Sequence, residues 1–250
     1  MTIDLTGSVV LVTGASRGIG EAIARSLGNC GATVVVHYFN NQKKAEVIAR
    51  EIGNGSIALG ADLSSPIATR KLFKQTIAKF HRLDVLVNNA AIAINSPLIK
   101  DEWLGDWDET MAVNLRAVAL LSRLSIMHFK ETGGGRIINV TSRAAFRGDT
   151  AEYMAYAASK GAVMNLTKSI AKNFGKDGVK CFALAPGFVN TDMAKPFIEL
   201  YGEDYTTADL ALNVATQPTD VAGFAVFLAS GLADHATGTS IDINAGSYLH

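Results

Sequence analysis

The sequence predicts an α/β protein: one domain built on a doubly wound parallel sheet of about seven strands, with helices on both faces. Two observations predict it. Short β-branched runs recur along the chain, and several are apolar on successive residues rather than alternating, as strands covered on both sides must be. Stretches with helical periodicity lie between them, and strand followed by helix, repeated, closes right-handed crossovers in a parallel sheet.

Residues 9–13 form the first expected strand, followed by a helix with Ile19, Ala22, Ile23 and Leu27 on one side. Strands are next expected at 33–37 and 56–59. Ser65-Pro66 then pairs an N-cap residue with proline at the first helical position, opening a helix that should turn Ile67, Phe73, Ile77 and Phe80 to the sheet. The remaining strands are expected at 85–88, 137–140, 179–184 and 240–243. No Pro/Ser-rich linker, repeat or low-complexity tract divides the chain, so residues 1–250 read as one domain. The irregular stretch from 186 to about 216 follows a strand end, where ligands bind in open α/β sheets, and with Met193, Phe197, Leu200 and Tyr201 it reads as a substrate lid.

Composition narrows the partners. Lys plus Arg and Asp plus Glu each number 23, so no net field draws nucleic acid or an anionic membrane, and a small molecule is the expected partner. Only Cys30 and Cys181 occur, with no His/Cys cluster at metal-ligand spacing, which predicts no metal and a reducing, cytoplasmic home. The start lacks a leader pattern, and no apolar run reaches the roughly 18 residues of a membrane span.

The chemistry begins at Thr13-Gly-Ala-Ser-Arg-Gly-Ile-Gly20, between the first strand and an amphipathic helix. Gly14 permits a tight turn, Gly18 a close approach of backbone to a pyrophosphate, and Gly20 close helix packing. The free N–H groups of the helix N-terminus face the same place.

This spacing, followed in order by Asp62-Leu63, Asn88-Asn89-Ala90, Asn114, Ser142, Tyr156 with Lys160, and Pro186-Gly187, resembles the short-chain dehydrogenase/reductase family over essentially the whole chain. Pro186-Gly-Phe-Val-Asn-Thr-Asp192 is similar to the subgroup containing the 3-oxoacyl-carrier-protein reductases. The resemblance implies a Rossmann-type fold and an NAD(P)(H)-dependent oxidoreductase that interconverts a carbonyl and a secondary alcohol by hydride transfer. It implies cofactor contacts at Gly14, Ser16, Arg17, Gly18, Ile19 and Gly20, with Asp62 and Leu63 at the adenine edge and Asn89 and Ala90 along the trench. Pro186, Gly187, Val189 and Thr191 would take the nicotinamide end. Ala91 stands where family members usually have glycine, a departure that matters only if the backbone there needs positive φ.

Cofactor choice turns on the end of the second strand, where a carboxylate favours NAD. The family's usual Asp position falls on Tyr38, followed by Phe39, Asn40 and Asn41, and Arg17 is placed to fork around a phosphate. NADP(H) is therefore preferred, with NAD(H) as the alternative.

Tyr156 and Lys160 stand four residues apart, on one helix face. The resemblance implies that Tyr156 is the acid/base and that Lys160 also bonds the nicotinamide ribose. Moving a phenol from about 10 to about 7 needs roughly 4 kcal/mol, which Lys160 and an oxidised nicotinamide are expected to supply. Tyr153 is the rival phenol but has Ala157, not lysine, four residues on. Ser142, just past the fifth strand, would donate to the same carbonyl oxygen. It precedes Tyr156 by fourteen residues, one more than in many relatives, so a bulged loop is expected between them. Local sequence alone favours an exposed amide at Asn114, whereas the resemblance implies a buried one holding a water that links the lysine to solvent.

Ala144, Tyr153, Phe188 and Met193, with Phe146, Phe197 and Arg147 nearby, suggest a largely apolar pocket for an aliphatic or ring carbonyl. Arg143 and Arg147 are expected in surface ion pairs rather than on an anionic substrate. A carrier protein needs basic surface, and Asp177 stands where those reductases tend to place arginine, leaving Lys130 and Lys176 as partial substitutes. Helices around 106–130 and 152–174 are apolar beyond one face, and with the 238–250 segment they would, by the family resemblance, build a homotetramer. The rival readings are a non-catalytic dinucleotide sensor or scaffold, and an epimerase or dehydratase on a related fold.

Overall fold

Neighbouring residues of each inner strand go to opposite helical layers, and that alternation organises the molecule. The computed structural model describes residues 2–191, 194, 198, 202 and 207–249. Its strands are β1 (Val9–Val12), β2 (Thr33–Tyr38), β3 (Ile57–Gly60), β4 (Val85–Asn88), β5 (Gly135–Val140), β6 (Val179–Pro186) and β7 (Ser240–Ile243). All pair in parallel, in the order β3-β2-β1-β4-β5-β6-β7. The described helices are α1 (Gly18–Asn29), α2 (Gln42–Ile52), α3 (Pro66–Phe80), α4 (Trp103–Met111), α5 (Ala117–Thr132), the short α6 (Ala144–Arg147), α7 (Met154–Phe174) and α8 (Pro218–Ala229). A π-helical turn, Ala112–Arg116, joins α4 to α5.

Val10, Val12, Val34 and Val36 point to one core with Ile23 and Leu27 of α1, Ile48 of α2 and Leu228 of α8. Val9, Leu11, Val35 and Leu86 point to the other, with Leu72 of α3, Leu121 and Phe129 of α5 and Ile170 of α7. Each sheet face therefore removes its own apolar set from water, which is why the strands read as continuous apolar runs. The seven strands, their parallel pairing and the helices on both faces are as the sequence predicts. The differences are at the ends: β1 stops one residue sooner, β2 runs one further, β3 is shifted by one, β5 starts two residues earlier, and β6 runs on to Pro186.

Two expectations fail for physical reasons. Ile67, at the second position of α3, is 81% exposed, because the buried stripe of the helix runs through Thr69, Leu72, Phe73 and Thr76 instead. The continuous helical stretch Trp103–Thr132 is, by length and composition, apolar enough to cross a membrane, although no such run was expected. Half of its most apolar window is buried in the fold, where Leu121, Ile126 and Phe129 pack in the α3/α5/α7 core.

Chain order reverses about β1, whose neighbours are β2 and β4. A crevice opens at such a point beyond the strands' carboxyl ends.

Candidate active site

A cleft of about 650 Å³ occupies this crevice, running past Gly14, His37, Ala61, Asn89, Ser142 and Pro186 at the ends of successive strands. Its floor is the glycine-rich turn. Thr13 leaves β1 and its hydroxyl accepts from the N–H groups of Asn89 at 2.9 Å and Ala90 at 3.0 Å. The Asn89 amide returns the tie, donating to the carbonyls of Thr13 at 2.8 Å and Gly14 at 3.2 Å. Gly14 and Gly18 take positive φ, 63° and 56°, which side chains resist. A Cβ on Gly20 would come within 2.3 Å of the Gly14 carbonyl oxygen, so the turn closes on α1 only because no side chain is there. Ser16, Arg17, Gly18, Ile19 and Gly20 all line the cleft.

The structure brings Asp62 and Leu63 to the cleft wall and leaves Tyr38 out. The Tyr38 ring lies on Gly60, where an added Cβ would sit 2.9 Å from it, so the position counted from the family pattern faces β3 instead. Phe39, Asn40 and Asn41 line the cleft in its place, and Phe39 is 62% exposed. Asp62 Oδ1 accepts from both the backbone and the hydroxyl of Ser64, at 2.8 and 2.7 Å, so the carboxylate is held in a local turn. Among the described residues, the non-glycine positions with positive φ are Asn54, His81 and Ala245; Ala91 therefore replaces glycine without backbone strain.

His37 escaped sequence reasoning, although a lone polar residue ending the run Val34-Val35-Val36 was a visible signal. Its ring is 2% exposed, lines the cleft, and is pushed by burial down from 6.5 to about 4. The unfolded chain takes up this proton near pH 6.5 and the folded one only near pH 4. The neutral ring's contribution is therefore complete above pH 6.5 and is lost as pH falls from there through about 4, a total of about 3 kcal/mol. Acid titration of Tm should show a fall over that window that is absent from His37→Asn; parallel curves would disprove it.

The reacting end is built by β5, α6 and α7. Tyr156 and Lys160 lie on one face of α7, which begins at Met154 after a 3-10 turn, Ala151–Tyr153. Between Ser142 and Tyr156 the chain forms α6 and a loop turning at Gly148, whose φ is 77°. Thr141 spends its hydroxyl on the Leu184 carbonyl at 2.9 Å. Ser142 Oγ accepts from the Ala144 N–H at 3.1 Å and hydrogen-bonds the Tyr156 phenol.

Lowering of the Tyr156 phenol is expected from Lys160 and an oxidised nicotinamide together, and the chain's own groups alone do not produce it. Lys160 is 3% exposed, donates to the Val140 carbonyl at 2.8 Å, and its Nζ stands 5.6 Å from the Tyr156 ring centre. Burial pushes the ammonium down to about 8. Burial pushes the phenol up to about 12, against the lowering influence of the Ser142 hydrogen bond and with added repulsion from Asp149. Tyr156 thus keeps its proton throughout the neutral range.

Asn114 is fully buried in the π-helical turn, contrary to the exposed amide that local sequence favours. Its Oδ1 accepts from the Ile92 N–H at 2.9 Å, and its Nδ2 donates to the Ile92 carbonyl at 2.8 Å and to Ser159 Oγ at 3.1 Å. Ser159 in turn donates to the Tyr156 carbonyl at 2.7 Å, tying the widened turn to the start of α7.

Ala144, Tyr153 and Phe188 line the same cleft, whereas Met193 and Phe197 lie outside the described residues. Phe146 does not line it; its ring stacks on Tyr248 at 6.4 Å. Arg143, Arg147 and Asp149 line the cleft as well, so the two arginines are not confined to surface pairing. Pro186, Gly187, Val189 and Thr191 close the far wall. A Cβ on Gly18 would meet the Thr191 methyl at 3.3 Å, so the chain leaving β6 passes over the glycine turn.

A glycine-rich turn at a helix N-terminus sharing one cleft with a tyrosine and lysine on one helix face fits a class: a dinucleotide-dependent oxidoreductase. Known proteins agree. The family model described as enoyl-(acyl carrier protein) reductase matches residues 14–248. A 3-oxoacyl-[acyl-carrier-protein] reductase of Synechocystis is 37% identical, covering 98% of both chains. Versicolorin reductase 1 of Aspergillus parasiticus is 35% identical over 98% of this chain and 97% of its own. A short chain dehydrogenase from Burkholderia cenocepacia, solved in complex with NADP, superimposes with a TM-score of 0.90 at 34% identity, covering 97% of this chain and 98% of that one. The chain belongs to the short-chain dehydrogenase/reductase family and is an NAD(P)-dependent oxidoreductase of carbonyl and alcohol groups.

Proposed function

We propose that this protein reduces the carbonyl of a small, largely apolar molecule to a secondary alcohol with NADPH, Tyr156 being the proton donor. The observation that carries the reading is geometric: Ser142, Tyr156 and Lys160 line the same cleft as the glycine turn, with Lys160 Nζ 5.6 Å from the Tyr156 ring centre.

The cradle fits a dinucleotide. The space a Cβ would fill at Gly14, 2.9 Å from Ala90 Cα, and at Gly20 is kept closed to side chains, while the start of α1 leaves amide N–H groups for a pyrophosphate. Gly14, Ser16, Gly18, Ile19 and Gly20 would hold the phosphates, Asp62 and Leu63 the adenine, and Asn89 and Ala90 the trench. Pro186, Gly187, Val189 and Thr191 would hold the nicotinamide end, with Lys160 at its ribose. Arg17, beside Asn40 and Asn41 in the cleft wall, would take the 2′-phosphate, and no acidic residue stands among residues 38–41 to repel it. The Burkholderia relative solved with NADP supports this choice. Bound there, NADPH supplies the hydride for the carbonyl carbon.

The chain's own groups do the rest. Tyr156 Oη donates its proton to the carbonyl oxygen, and the Ser142 hydroxyl donates a hydrogen bond to the same atom, so negative charge developing there meets two donors. Asn114 and Ser159 hold the start of α7, which sets where the phenol stands.

A carrier-borne substrate is disfavoured, because Lys130 is committed to Asp177 at 3.1 Å and offers less free positive charge to an acidic partner. The 186–216 segment would act as the lid of a single domain. Exposed apolar side chains on α4, α5 and α8, among them Leu104, Met127, Phe224 and Phe227, support assembly as a homotetramer, in the cytoplasm.

The test is NADPH and NADH oxidation against small ketones, 3-oxoacyl thioesters, sugars and quinones. NADPH with a small ketone should give the highest kcat/KM, and Arg17→Ala should raise the KM for NADPH about tenfold while leaving that for NADH unchanged. Equal loss for both cofactors would refute the phosphate role, and no turnover with any carbonyl would refute the reaction.

A further inference from the structure

His37 is a cleft residue to which neither the family resemblance nor the proposed chemistry assigns a task, yet its ring joins three chain segments. Nδ1 accepts from the Gly14 N–H at 3.0 Å, and the next N–H of the glycine turn, that of Ala15, donates to the His37 carbonyl at 2.8 Å. Nε2 lies 3.1 Å from the carbonyl oxygen of Ala61, the residue before Asp62. A backbone N–H only donates and a carbonyl only accepts, so these partners require a neutral ring with its proton on Nε2. Burial works in the same direction, since the ring is 2% exposed.

We infer that His37 is a positioning residue for the dinucleotide: its imidazole fixes the glycine turn and ties it to Ala61, Asp62 and Leu63, so that the phosphate and adenine subsites are set as one unit. The inference rests on the NADP(H) reading above. Gly14 sits at a φ of 63°, and its partly buried N–H has no intrastrand partner of its own once β1 has ended. Remove the acceptor and the turn must rotate to find another, carrying with it the Gly18–Gly20 amides. Remove only the Nε2 donor and the turn keeps its anchor, while the adenine wall loses its tie.

Substitution can separate the two ends of the ring. Asparagine places an acceptor near the Nδ1 position but cannot reach Ala61. Glutamine reaches the Nε2 position with a donor but offers no acceptor at Nδ1. Leucine keeps neither. The test is fluorescence titration with NADPH, together with steady-state kinetics and Tm, on the wild type, His37→Asn, His37→Gln and His37→Leu. His37→Asn should bind NADPH within about threefold of wild type, whereas His37→Gln and His37→Leu should raise Kd about tenfold or more, as expected for one buried hydrogen bond left unmade. All three should keep kcat at saturating NADPH within about threefold of wild type, because no reacting atom is touched. If His37→Leu does not fold, the Asn and Gln pair decides. Wild-type affinity in His37→Gln, with or without a lower Tm, overturns the inference, and so does a fall in kcat at unchanged Kd. A wild type that does not bind NADPH overturns the cofactor reading instead, and its own titration identifies that outcome.

Discussion

Tyr156→Phe should give a folded protein that binds NADPH as the wild type does and turns over about a thousandfold more slowly, within the range for loss of a positioned general acid. The change removes one hydroxyl from the cleft and leaves the ring, the α7 helix and the Lys160 bond to Val140 in place. Ser142 can still donate a hydrogen bond to the carbonyl oxygen, but a hydrogen bond does not deliver the proton that must end on the alcohol. The loss should therefore fall on kcat and on kcat/KM alike, the signature of an interaction realised in the transition state. Single-turnover oxidation of prebound NADPH measures it, and activity retained within tenfold would remove the acid role from Tyr156. Because burial holds this phenol up at about 12, the wild-type reduction should show no loss from its deprotonation between pH 6 and 9.

Gly20→Ala should abolish measurable dinucleotide binding and lower Tm by several degrees. Its Cβ would stand 2.3 Å from the Gly14 carbonyl oxygen and 2.4 Å from the Asn89 amide nitrogen, and neither neighbour is free to retreat. Asn89 is spent on Thr13 and Gly14, and Gly14 is itself held by His37, so the whole turn must lift off α1. Such overpacking costs about 1–3 kcal/mol in stability and more in the geometry of the phosphate site. The control is Gly161→Ala on α7, where the new Cβ meets only the Ala145 carbonyl at 3.6 Å. There the helix should gain about 0.5–1 kcal/mol with binding unchanged. Isothermal titration and thermal melts on the two variants decide it; normal NADPH affinity in Gly20→Ala would show that the turn is not the phosphate cradle.

The legible parts of this protein were those that short-range pattern dictates. Strand interiors could be read because Val9–Val12 or Val85, Leu86 and Val87 must be apolar on both faces, and that demand leaves little choice of residue. Gly14, Gly18 and Gly20 could be read because a backbone constraint admits one residue type. Tyr156 and Lys160 could be read because four residues of helix bring two side chains together whatever the rest of the chain does.

What escaped depended on partners far away in sequence. Tyr38 was assigned to the cleft by counting, but its ring follows the gap left by Gly60, which no count along β2 reveals. Asn114 looked out of place because a regular helix was assumed, whereas the π-helical turn lets its amide reach the backbone of Ile92. Arg143 and Arg147 read as surface charges, and Arg147 does stand 4.0 Å from Asp209, but both also line the cleft, which spacing alone does not reveal. The strength of the Lys160 effect also could not be read from spacing, since the ammonium's bond to Val140 is set by the end of β5.

The strand-like bridge between Val189 and Thr216, reinforced by the Asn190 N–H on the Thr216 carbonyl at 3.1 Å, has a consequence for how such an enzyme can change over generations. The chain departs from β6 and returns toward α8 at this pinned doorway, with a further tie from the Ala211 N–H to the Ala245 carbonyl at 2.8 Å, so residues inserted between Asn190 and Ala211 need not pull on β6 or α8. Loop closure grows only slowly more costly with added residues, which makes that doorway a tolerant junction.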